Sequence, residues 1–242
     1  MCITFLFTNS NDSSFKYKLI LINNRDEYFS RKTLKAEVHK EDDLIQVFGT
    51  DVETKVRGTW LAISRRDDTI RIGNLLNVPG EIVKGRKEDL RGRGPIAIEY
   101  VQTNEDIESY NKKLCADCTA YNSFNFLSVE IKPCDIKTYF TSNATQNYVE
   151  LATGCAGFSN SPVNAPLQKV IAGNKKFHEI IQEHKNKESM VEALIELLKW
   201  DEKHYPDDEL LRRRGHDAED FSSIHVRHNQ LYGTRTRTII LI

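Results

Sequence analysis

The 242-residue sequence predicts an α+β domain. Apolar, strand-like segments open the chain as an antiparallel pair, two helical stretches interrupt the later strands, and the chain closes on strands again. No composition shift, repeat or low-complexity linker marks an internal boundary, so residues 1–242 read as one domain.

Residues 3–7 and 17–22 are apolar runs joined by a polar Asn/Asp/Ser loop, the pattern of a β-hairpin with a long turn. Strands continue at 44–48, 59–64 and 69–76, with residues 65–68 (Arg-Arg-Asp-Asp) as the turn between the last two. Pro95 suits the first position of a helix running towards Val101, and residues 104–114 form a second helical segment. Further strands fall at 124–131, 136–141, 148–152 and near Gly157. Residues 167–184 and 189–200 are helical; in the second, Met190, Ala193, Leu194 and Leu197 recur at helical spacing. A charged loop at 205–220 precedes closing strands at 222–228 and 234–242.

Lys and Arg number 34 against 35 Asp and Glu, a net charge of −1. Such balance argues against a nucleic-acid footprint or an acidic tail. No apolar run approaches the roughly 20 residues of a membrane span. The short apolar opening lacks the preceding basic residues of a secretory signal. Five cysteines in no framework spacing point to a reducing compartment. Cys115-x-x-Cys118 has no second pair to complete a zinc site, and His225-x-x-His228 forms no metal signature.

Cys2 carries the strongest chemical signal. A small second residue permits removal of Met1, which leaves Cys2 with an α-amine of pKa about 7.7–8.0 beside a thiol of about 8.5. One residue then supplies nucleophile and base. Cys115, Cys118, Cys134 and Cys155 have no comparable partners nearby in sequence and read as structural or surface thiols. The second strand runs into Asn23-Asn24-Arg25-Asp26-Glu27, a polar end for so apolar a strand. If the first two strands pair, Arg25 or Asp26 lies near Cys2; the guanidinium would lower the thiol pKa and the carboxylate would hold the amine.

Asn24-Arg25-Asp26-Glu27 after a Met-Cys strand resembles the NRDE motif of the transport and Golgi organisation family. Further matching blocks are Gly58-Thr59-Trp60-Leu61, Arg91-Gly92-Arg93-Gly94, Tyr121-Asn122, Phe124-Asn125, Phe158-Ser159-Asn160, and Tyr232-Gly233-Thr234-Arg235-Thr236 followed by Thr238-Ile239-Ile240-Leu241. The family is similar to N-terminal nucleophile hydrolases of the penicillin V acylase and bile salt hydrolase type. That likeness implies a four-layer αββα sandwich, with Cys2 as nucleophile and Arg25 and Asp26 as its orienting pair. It also implies Asn74 and Asn160 as oxyanion or α-amine contacts and Arg235 as a distal arginine.

Those hydrolases place two residues between the arginine and the aspartate, whereas Arg25 and Asp26 are adjacent. Strand neighbours face opposite ways, so without a bulge only one reaches Cys2, and Arg25 is the stronger expectation. Relatives continue with more strand past the position of Ile242, so one sheet is expected to lack an edge strand.

Two functions follow from the resemblance. One is a carrier or trafficking factor for a small-molecule ligand, haem or an acylated metabolite, acting in Golgi organisation and secretion, haem mobilisation, and lipid and acyl-CoA balance. The other is a cysteine amidohydrolase or acyltransferase. Neither requires a metal or a cofactor, since haem would be cargo. The implied location is cytoplasmic, with association to mitochondria or Golgi. Arg91 and Arg93 flank glycine at a helix start, a reasonable anion seat; a plain loop fits them equally well.

Overall fold

The computed structural model describes residues 1–10, 15–53, 56–184 and 186–242. In chain order its strands are β1 (Ile3–Thr8), β2 (Leu19–Tyr28), β3 (Thr33–Glu41), β4 (Leu44–Asp51), β5 (Leu61–Arg66), β6 (Thr69–Asn77), β7 (Phe124–Lys132), β8 (Asp135–Ser142), β9 (Asn147–Glu150), β10 (Gly154–Ser159), β11 (Arg227–His228) and β12 (Tyr232–Leu241). The helices are α1 (Pro95–Gln102), α2 (Ile107–Ala116), α3 (Gln168–Glu183), α4 (Lys187–Leu198) and α5 (Asp208–Arg214). The fold class is α+β, with two antiparallel sheets. No helix among the described residues is long and apolar enough to cross a membrane.

Two compact units divide these elements, Met1–Ser30 with Thr153–Ile242, and Arg31–Ala152. The first unit holds the five-stranded sheet β10-β1-β2-β12-β11. Ile3, Phe5 and Phe7 alternate along β1 and join Ile20 and Ile22 of β2 in a core with Phe177 and Ile181 of α3 and Leu194 and Leu198 of α4. Phe5 and Phe177 stack with ring centroids 5.8 Å apart. The second unit is a seven-stranded antiparallel meander, β3 to β9 in sequence order. Ile96, Tyr100 and Val101 of α1 and Ile107 and Leu114 of α2 pack with Leu75 and Phe126 of its sheet.

The tip of the first predicted turn, residues 11–14, lies outside the described residues. The pairing it was expected to close is present: β1 and β2 are antiparallel, with Ile3 opposite Asn24 and Thr8 opposite Leu19. β2 does not stop at Ile22 but runs through the polar motif to Tyr28, between β1 and β12. The buried asparagines are used as donors. Asn23 Nδ2 reaches the Ile3 carbonyl (3.1 Å) and Thr4 Oγ1 (2.9 Å), and Asn24 Nδ2 reaches the carbonyls of Leu198 (2.8 Å) and Ile224 (3.0 Å). Polar groups inside a sheet are tolerable because they find partners there.

Three other departures have local causes. β3 leaves most of its side chains exposed, so it carries no alternation to detect. The predicted loop at 205–220 contains α5, capped by Asp207 Oδ1 accepting from the Leu210 amide (2.9 Å). Acids stand in its first turn and Arg212, Arg213 and Arg214 in its last, complementing the helix dipole. The predicted strand at 222–228 shrinks to Arg227–His228, because the 3₁₀ segment Gly215–Phe221 consumes the approach to it.

Gly173 marks the closest approach of α3 to β1. A methyl group there would meet the Phe5 ring and lie 2.7 Å from Ile224 Cδ1. Alanine gains about 1 kcal/mol of helix propensity, but forcing a methyl into a filled core costs about 1–3 kcal/mol. Gly173→Ala should therefore lower unfolding stability in urea by about 1 kcal/mol, and a variant as stable as the parent would contradict this packing.

Candidate functional site

β1 lies between β2 and β10, and its two registers decide what meets the amino terminus. Ile3 pairs with Asn24 on one side and Ser159 on the other. One residue earlier along both antiparallel ladders, Cys2 falls in line with Arg25 and Asn160. A further step brings Met1 to Asp26. Ser159 Oγ donates to the Cys2 carbonyl (2.6 Å) and holds this end of the strand.

Asp26 is the centre of the cluster. Its Oδ2 lies 3.1 Å from the Met1 α-amine, and both side chains are fully shielded from solvent. Its Oδ1 accepts from Thr234 Oγ1 (2.6 Å), while that hydroxyl accepts from the Val226 amide (3.0 Å). Tyr232 Oη accepts from the Met1 amine (2.8 Å) and donates to the Asp26 carbonyl (3.1 Å). The β2–β12 ladder is irregular here, with Thr234 opposite Asp26 and Thr236 opposite Arg25. The extra residue is Arg235, and a bulge of this kind re-aims neighbouring side chains.

The Cys2 thiol sits against the Asp26 backbone, donating to its carbonyl (3.6 Å) and accepting from its amide (3.4 Å). Burial pushes the thiol above its ordinary value, opposed chiefly by the nearby α-amine. Burial also lowers the Met1 amine from 8.0 to about 6, with Asp26 pulling the other way. The amine is thus mostly neutral above about pH 6. Lys169 is wholly buried, its Nζ 3.3 Å from the Met1 carbonyl and 3.0 Å from the Ser223 carbonyl. Desolvation lowers it to about 8, against the pull of Asp26.

The first unit gathers Cys2, Arg25, Asp26, Asn160 and Arg235. Arg25 and Asn160 are buried, and Arg25 Nη2 lies 3.8 Å from Glu27 Oε2. Asp26 makes close contacts with residues 1 and 2, and Arg25 stands in line with Cys2 along the ladder. Arg235 Nη1 donates to the Tyr28 carbonyl (3.0 Å) at the exposed rim. Asn74 belongs to the second unit, where its amide donates to the Trp60 carbonyl (3.0 Å).

Arg91 and Arg93, also in the second unit, turn to different partners. Arg91 pairs with Asp117 (2.6 Å) over the Tyr121 ring. Arg93 donates to the Ser123 carbonyl (2.7 Å), and burial lowers its guanidinium to about 10 with Arg31 nearby. No group of three or more His, Cys, Asp or Glu placed to hold a metal occurs among the described residues.

Sequence reasoning missed Lys169, Tyr232, Thr234 and Arg214. Lys169 left a trace, because it falls on the buried stripe of α3 with Val170, Gly173, Phe177, Ile180 and Ile181. A lysine in an apolar stripe signals a buried cation with a task.

The family model for Transport and Golgi organisation 2 matches residues 1–242. The chain belongs to this family. It is 37% identical to Transport and Golgi organization protein 2 of Drosophila melanogaster, over 100% of this chain and 88% of that one. A Transport and Golgi organization 2 homolog from Mus musculus is 31% identical over the same shares of the two chains. Among solved structures, Anbu (ancestral beta-subunit) from Yersinia bercovieri gives a TM-score of 0.38 at 7% identity, covering 81% of this chain and 72% of that one. That likeness is too slight to bear on chemistry.

The buried amine predicts a pH dependence. Between pH 8 and about 6 the unfolded chain binds a proton at Met1 that the folded chain does not, so stability falls as pH is lowered through this window. Lys169 titrates from about 8 upwards, chiefly above the window, while the half-buried His204 and the buried His225, both lowered from 6.5, add to the loss at its lower end. At about 1.4 kcal/mol per pH unit, less near each pKa, urea unfolding should lose roughly 2 kcal/mol through this amine between pH 8 and pH 6. A flat profile would mean that the amine keeps its ordinary affinity for protons.

Proposed function

We propose that the protein serves its family's role in transport and Golgi organisation as a carrier or trafficking factor whose N-terminal cysteine site is closed while Met1 is present. One observation carries this reading. The α-amine beside Asp26 belongs to Met1, and the Cys2 thiol, held against the Asp26 backbone, is pushed towards its protonated form. In that state Cys2 has no amine of its own to act as base. The ligand class is a small molecule, haem or an acylated metabolite, which fits action in secretion, haem mobilisation, or lipid and acyl-CoA balance. We place this role in the cytoplasm, with association to mitochondria or Golgi.

A second reading is supported by the same residues after loss of Met1. Cys2 would then carry a free α-amine, in line with Arg25 and Asn160. As an amidohydrolase, its sulfur would attack an acyl carbon while the α-amine takes the thiol proton. The proton would pass to the departing amine, leaving a thioester for water to cleave. With an acceptor amine in place of water, the same intermediate gives acyl transfer.

Mass spectrometry of the native amino terminus, joined to brief alkylation by sub-stoichiometric iodoacetamide at neutral pH, separates the two. The Met1-bearing chain should label first at the exposed Cys134, with Cys2 protected. A chain beginning at Cys2 should label there preferentially, and Arg25→Ala should reduce that labelling. Equal labelling of all accessible thiols in the processed chain would remove the enzyme reading. Haem titration of Cys2→Ala tests the carrier reading: a haem site built elsewhere survives the change.

A further inference from the structure

Met1 is held in the manner of a bound small molecule, with a separate partner for each functional group. Its amine meets Asp26 Oδ2 (3.1 Å) and Tyr232 Oη (2.8 Å). Its carbonyl oxygen faces Lys169 Nζ (3.3 Å). Its thioether sulfur accepts from Arg214 Nε (3.3 Å), whose guanidinium in turn covers the Phe221 ring at 4.3 Å. The methionine side chain is 1% exposed and part of the core around Phe221.

This set of contacts exceeds what anchoring a strand end requires. Lys169 is the most telling. A wholly buried ammonium is costly unless an opposite charge compensates it, yet its hydrogen-bond partners are two uncharged carbonyls, Met1 and Ser223. A carboxylate in place of the Met1 carbonyl would put an anion in direct contact with this ammonium, where Asp26 acts only through space. Asp26 and Tyr232 meanwhile form a seat for an α-ammonium, preorganised by Thr234.

We propose that, once Met1 is removed, its pocket is the binding site for an α-amino acid, or for the aminoacyl end of a substrate, with an unbranched apolar side chain. The ligand ammonium sits against Asp26 and Tyr232. Its carboxylate, or acyl carbonyl, lies between Lys169 and the new α-amine of Cys2. Its side chain follows the path of Met1 towards Arg214 and Phe221. The carbon at this place is the one now joined to the Cys2 nitrogen, so an aminoacyl group bound there presents its carbonyl beside the thiol. The inference rests on the second reading above, in which loss of Met1 opens the site, and it names the substrate class of that site.

The test uses the chain beginning at Cys2, released by cleaving a tag immediately before it, and calorimetric titration with free L-methionine. L-Methionine and L-norleucine should bind one to one, and the Met1-bearing chain should bind neither. The analogue lacking the amine, 4-(methylthio)butanoate, and the one lacking the carboxylate, methioninol, should each bind at least roughly tenfold more weakly, the scale of one charged hydrogen bond. Asp26→Asn should erase the preference for the amine. Lys169→Met should erase the preference for the carboxylate while methioninol binding is unchanged.

No binding, or equal affinity for L-methionine and its des-amino analogue, overturns the proposal and leaves Asp26 to hold the amine of Cys2 itself. Thermal unfolding with and without saturating L-methionine is read in parallel, because a ligand bound to the folded state raises the midpoint. A processed chain that folds in neither condition also overturns it, since residue 1 would then be a part of the core. Alkylation of the same preparation keeps the two ideas apart. Selective Cys2 labelling without amino-acid binding sinks this proposal alone, and binding with an inert Cys2 sinks the nucleophile alone.

Discussion

The antiparallel register of β1 decides what surrounds the amino terminus. With Ile3 fixed between Asn24 and Ser159, Cys2 and Met1 can meet only the residues that continue those two strands. A slip of one residue would turn every side chain of β1 to the opposite face, removing Phe5 from its stack on Phe177 and Met1 from Asp26. Burial of Ile3, Phe5 and Phe7 in one core therefore sets the geometry of the polar cluster at the strand end.

That cluster lies inside the protein, so its cohesion depends on the hydrogen bonds and the ion pair its side chains make there. Asn23 and Asn24 spend their amide donors on carbonyls of β1, α4 and the segment before β11. Asp26 divides its carboxylate between Thr234 and the Met1 amine. Leaving such groups without partners would cost about 1–3 kcal/mol each. The bulge in β12 sets Thr234 opposite Asp26, giving its carboxylate a hydroxyl partner, while Arg235 turns to the rim.

The charges around residue 1 are arranged so that burial and attraction oppose each other. The Met1 amine and Lys169 are both wholly buried cations near one carboxylate, Asp26. Desolvation is the largest cause of both shifts, Lys169 also lowers the Met1 amine, and Arg214 adds to the effect on each. Groups whose proton affinity is displaced by burial cluster where proteins bind ligands or move protons, and this pocket also holds the chain's N-terminal thiol.

Much of this was legible in the residues. The order of most strands and helices, the apolar stripe of α4 and the polar motif that ends the second apolar run all show in local patterns of period and polarity. Those patterns also placed Arg25 and Asp26 on a strand that could flank Cys2, while Asn160 came only from the family resemblance. Tertiary structure alone decided that residues 23–26 are buried strand and not a solvated turn, because β12, some 200 residues later, covers their other edge. It alone joined Tyr232, Thr234, Lys169 and Arg214 to Met1. Local sequence records which face of an element is apolar, but it carries no record of which distant element will pair with it. Register between strands far apart in the chain is set by packing of the whole core, and the partners of a buried polar group are set with it.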